Sequence, residues 1–133
     1  ESSSQDIRKR IKSHYQGNAE GSTLRLTVGV LLAGKSGFPL RRVGSGKRMT
    51  LTHVGEQGLD AWMQENALVC WVEHPDPSAL EREILKTFSL PLNLQDNQDH
   101  PFWAELSDLR KEAKRNARQE PIAPEIGQQR KAV

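Results

Sequence analysis

The chain has one cysteine, one tyrosine and no long apolar run, and each shortage closes off a class of protein. Cys70 stands alone, so it can form no intramolecular disulfide, and no zinc site can be built from thiolates. No apolar stretch approaches the roughly 18 residues that span a bilayer, and no charged-then-apolar start suggests a signal peptide. A reducing, cytoplasmic setting with no membrane partner is the expectation. Hydrophobic residues make up 35% of the 133 positions, and mean hydropathy is −0.68. That predicts one compact domain with a modest core and at least one disordered end. Charge of neither sign dominates: the net value is +2. A nucleic-acid partner is permitted by this balance without being demanded by it.

What is present reads mostly as helix. Ser3 followed by Asp6 resembles a capping box, and Ile7, Ile11 and Tyr15 recur every four residues as one apolar stripe, ended by Gly17. Relative to Ile11, Arg10 lies at about −100° and His14 at about −60°, side by side on one border of that stripe. "STLRLTVGVLLA" fits a strand through Leu24, Leu26, Val28 and Val30, and a helix through Leu24, Val28, Leu31 and Leu32, so periodicity leaves it open. "GKSGFPLRRVGSGKRM" reads as a loop with one short strand. Its "GSGK" is not a phosphate loop, because positions 41 and 48 are both arginine.

Leu59, Trp62 and Met63 mark a helix face between Thr52 and Asn66. "LVCWVEH" (68–74) is the most strand-like segment in composition. Asp76-Pro77 caps and opens a helix with Leu80, Ile84, Leu85 and Phe88 inward, and His100-Pro101 opens a last helix with Phe102, Leu106 and Leu109 inward. Residues 1–118 are expected to form the domain, and 119–133 a disordered basic tail dispensable for folding.

On these residues alone, Arg10 and His14 are either a solvated basic helix, whose terminal dipole favours a cationic histidine, or part of a phosphate site. Glu81 and Glu83 read as surface helix carboxylates, and Asn93 as a turn former. The tryptophans and Met63 read as core. His53, His74 and His100 share no ligand spacing with each other or with Cys70, so no transition-metal site is expected.

The order of "KRIKSHYQGN", "RRVGSGKRMTLT", "WMQENALVCWVEHP" and "LEREILKTFSLPLN" resembles the GIY-YIG nuclease family, from about residue 4 to about residue 115. The resemblance implies a small α+β domain, mostly helical with one or two short strands, and tips residues 22–33 towards helix. It further implies metal-dependent hydrolysis of DNA phosphodiester bonds. Arg10 would contact the scissile phosphate, and His14 would assist near the attacking water. Glu81 would bind Mg²⁺ or another divalent cation, and Asn93 would complete the site. Glu83 competes for the metal role, but with Glu81 the residues Ile84, Leu85 and Lys86 take the family's apolar, apolar, basic positions. A hard cation that keeps several waters can be held by one carboxylate plus substrate phosphate. The family's two tyrosine-bearing strands precede the arginine helix, and neither "GIY" nor "YIG" occurs here. The chain is therefore expected to be a fragment or a degenerate member, inactive without those tyrosines. The alternative is a non-catalytic nucleic-acid-binding module.

Overall fold

The computed structural model describes residues 6–124. They form α1 (Ile7–Gln16), α2 (Thr23–Ser36), β1 (Arg41–Val43), β2 (Arg48–Thr50), α3 (His53–Asn66), α4 (Pro77–Thr87) and α5 (Trp103–Gln119). This is the expected α+β class. The sheet is a single antiparallel hairpin, with Arg41 opposite Thr50 and Val43 opposite Arg48. Its turn uses Gly44 (φ 66°) and Gly46 (φ 85°), in the left-handed region that glycine occupies without a Cβ penalty. The stretch expected to hold one short strand thus holds two. Among the described residues no helix is long and apolar enough to cross a membrane.

Helix α2 organises the core. Leu26 joins Ala19, Leu40 and Ala117 in one buried cluster, and Val28 joins Leu51, Leu59 and Met63 in another. Two positions along a helix turn about 200°, so these side chains leave α2 on opposite sides. Arg25, Leu26, Thr27, Val28 and Gly29 are all buried. A helix covered on both faces loses its one-sided stripe and imitates strand alternation, which explains why its periodicity was ambiguous. The Ser22 hydroxyl caps it by accepting from Arg25 N, and Gly37 (φ 75°) ends it. The Asp76 carboxylate caps α4 with proline following, as expected, and the Thr52 hydroxyl caps α3.

Four expectations need correction. Asp6 itself caps α1, accepting from Lys9 N at 2.9 Å, and Ser3 lies outside the described residues. Residues 68–74 form no strand. Leu68 is 101% exposed, Trp71 64% and Val72 67%. β-rich composition makes a strand only when a neighbour takes its backbone hydrogen bonds, and among the described residues none does. Phe88 is exposed rather than inward, because it caps the end of α4 in extended conformation. Of the tryptophans expected in the core, Trp62 and Trp71 are exposed, whereas half-buried Trp103 donates from Nε1 to Leu94 O.

The start of the expected tail is also ordered against the hairpin. Ala123 is buried, its N donates to Arg42 O at 2.8 Å, and Gly44 N donates to Ala123 O. Arg41 and Arg42 hold the carbonyls of Pro121 and Glu120 at 2.8 and 3.0 Å. Residues 125–133 of that tail lie outside the described residues.

Candidate functional site

Helix α1 packs on α3 with Tyr15 against the cluster of Leu59 and Met63, its hydroxyl donating to Ala67 O at 2.7 Å, while Ile7 at the start of the stripe is exposed. Arg10 and His14 are one turn apart on the stripe's border, as the spacing predicts, with Arg10 exposed and His14 half-buried. Arg8, Lys9 and Lys12 project into solvent around them.

Beneath this helix lies a polar knot that sequence reasoning missed. Arg25, 0% exposed, donates from Nε and Nη2 to Glu56 Oε2 (3.3 and 2.6 Å), from Nη2 to Glu56 O, and from Nη1 to His14 O (3.2 Å). Its Nη2 also lies 2.8 Å from Asp60 Oδ1, close in charge though not aligned as a hydrogen bond. The second oxygen of Glu56 accepts from Ala19 N and Leu51 N. One buried guanidinium thereby ties the C-terminal end of α1 to α2 and α3. The available signal was an arginine inside the apolar run "TLRLTVGV", since a charge buried there needs a carboxylate partner.

His14 Nδ1 lies 2.7 Å from Ser22 Oγ. Burial, then the charges of Arg10 and Arg25, hold the pKa of His14 below its ordinary value of 6.5. A cationic histidine attracted by the helix terminus is therefore the wrong description of this ring at neutral pH; desolvation and two arginines outweigh the dipole.

Glu81 is exposed on α4, and its carboxylate has no hydrogen bond or ion pair among the described residues. Glu83 faces Lys86 at 3.6 Å, so of the two competing carboxylates Glu81 is the unengaged one. Asn93 follows α4 in a turn tied by another side chain: Asn97 Nδ2 donates to the carbonyls of Leu90 and Asn93. Asn93 N also closes the turn on Leu90 O at 3.2 Å, and its side-chain amide takes no part in this network. Ser89 Oγ and His100 Nε2, 2.9 Å apart, link this turn to the start of α5.

The structure brings Arg10 and His14 together. Glu81 and Asn93 sit on a separate segment, since the extensive helix packing joins α1, α2, α3 and α5 and leaves α4 outside it. Among the described residues no three His, Cys, Asp or Glu side chains cluster as a metal cage. One open carboxylate suits only a hard cation that keeps most of its waters. An open cleft of about 480 Å³ is lined by Tyr15, Gln16, Asp60 and Gln64, and an apolar groove of about 300 Å³ runs between α2 and α3. Neither is lined by the four expected site residues, of which Arg10 and Glu81 are exposed and His14 and Asn93 half-buried.

Comparison with protein families matches the GIY-YIG catalytic domain over residues 1–112. The chain belongs to the GIY-YIG family, whose catalytic domain is of the nuclease type. Neither the curated proteins nor the solved structures contain a match.

Proposed function

We propose that this chain carries the phosphate-binding part of a GIY-YIG endonuclease that hydrolyses DNA phosphodiester bonds. The observation that carries this reading is the pair Arg10 and His14, adjacent on α1 above a buried arginine that holds the helix in place. An arginine fork offers two parallel donors to a phosphate and offsets charge developing on its oxygens. Arg8, Lys9 and Lys12 add non-specific attraction to the DNA backbone. Glu81 would hold Mg²⁺ or a similar cation, which when bound supplies further charge compensation at the phosphate. Asn93, its amide group unengaged, is the remaining polar group of the proposed site.

A second reading rests on Tyr15. It is the only tyrosine of the sequence, and its hydroxyl is given to Ala67 O. The Tyr15 hydroxyl proton is committed to a structural bond between α1 and the end of α3, and a chain whose one tyrosine is used in this way favours a nucleic-acid-binding module.

Cleavage and binding assays on the protein, with and without Mg²⁺, separate the two. In a cleaving protein, Glu81→Gln should abolish Mg²⁺-dependent cutting while leaving DNA binding in place, and Glu83→Gln should cut normally. Arg10→Ala should reduce cutting far more than Lys9→Ala. Cutting that survives both glutamate substitutions would refute the single-carboxylate site. Binding without cutting in every form would establish the module.

A further inference from the structure

Ser22 is 3% exposed, and its hydroxyl oxygen serves two elements at once. It accepts from Arg25 N at 3.2 Å as the cap of α2, and it lies 2.7 Å from His14 Nδ1. A serine hydroxyl has one proton to give. Among the described residues, the acceptor within reach of that proton is His14 Nδ1. The reverse polarity, Nδ1–H donating to Oγ, would satisfy the ring but leave a buried hydroxyl proton without a partner, an arrangement that folded proteins avoid.

We infer that Ser22 is a positioning residue that holds His14 as a neutral imidazole with its proton on Nε2, so that the ring meets a phosphate oxygen as a hydrogen-bond donor and not as a base. Nε2 has no partner among the described residues. The groups facing the ring agree with this state. Arg10 on its own helix and Arg25 from α2 both oppose a second positive charge, and Glu56 and Asp60 of α3 are already engaged by Arg25. Charging the ring would also set an N–H against the Ser22 O–H, and the hydroxyl would have to turn away. Arg25 adds a backbone restraint by holding His14 O. The inference rests on the nuclease reading only for what Nε2 meets; the state of the ring is a property of this chain alone.

The test is a long-range ¹H–¹⁵N correlation spectrum of the labelled 133-residue chain, recorded between about pH 5 and 8, the range over which histidine titrates. At the upper end, His14 should show Nδ1 unprotonated and Nε2 protonated. Ser22→Ala should give a tautomer mixture and a higher titration midpoint, and Ser22→Thr, which keeps both cap and hydroxyl, should restore the original pattern. A protonated Nδ1 in the unaltered protein overturns the assignment, whether or not Ser22→Ala folds. An unchanged spectrum in a folded Ser22→Ala protein overturns it as well. Added short duplex DNA should shift the Nε2 signal with its proton retained, and an Nε2 signal indifferent to saturating DNA removes the donor role. Failure of the nuclease reading is seen separately, as absence of cleavage with the ring state intact.

Discussion

Replacing Arg25 with Met tests the polar knot and, through it, the placement of α1. The side chain is of similar length, so the main loss is polar. Glu56 would remain in its buried position with an uncompensated charge, eased by the N–H groups of Ala19 and Leu51 at 3.0 and 3.1 Å. Removing one partner of a buried ion pair costs about 3–5 kcal/mol, and the two donors left on Glu56 place the electrostatic loss near the lower end. The carbonyls of His14 and Glu56 each lose a donor, adding about 1 kcal/mol apiece. Asp60, 37% exposed at its side chain, is solvated and adds little. The expected total of about 5 kcal/mol is a large share of the roughly 5–15 kcal/mol available to a domain. Urea unfolding followed by far-ultraviolet circular dichroism measures it. Adding Glu56→Gln to Arg25→Met should cost less than Glu56→Gln alone, by about 1–3 kcal/mol of coupling. A loss under about 1 kcal/mol for Arg25→Met, with no coupling, would refute the claim that this pair is dry and structural.

Ending the chain after Gln119 should lower stability by about 2–3 kcal/mol, since buried Ala123, two backbone hydrogen bonds and the carbonyl partners of Arg41 and Arg42 are lost; an unchanged thermal midpoint would show that this contact contributes nothing. Gly34→Ala and Gly37→Ala should move stability in opposite directions. Gly34 is helical with open space at its Cβ, so alanine gains about 0.5–1 kcal/mol, whereas Gly37 has φ of 75° and alanine loses about 1 kcal/mol there. Thermal melts of both proteins check the signs. Because the pKa of His14 is depressed on folding, the unfolded chain takes up that proton first as pH falls. Stability should therefore decline as pH drops below about 6.5, and His14→Gln should remove this component; a slope unaltered by that substitution would assign it to other groups.

Local chemistry determined much of this protein in advance. Caps at Ser22, Thr52 and Asp76, the proline at position 77 and glycines at 17 and 37 punctuate the helices, because these residues satisfy or release terminal backbone groups whatever lies around them. The adjacency of Arg10 and His14 was equally legible, being fixed by helical pitch alone. The tertiary structure decided what depends on a distant partner. Residues 68–74 have strand composition but no described neighbour to bond them, so they remain irregular and exposed. Ala123 is buried because Arg42 and Gly44, some eighty positions away, take its backbone bonds. Arg25 looked like one cation among many until Glu56 and Asp60 were brought beside it. Folding holds the pKa of His14 below its ordinary value by burying the ring and by adding the charge of Arg25 to that of its helical neighbour Arg10. Spacing along a helix is set by bond geometry, but burial and the identity of a hydrogen-bond partner are set by which segments meet.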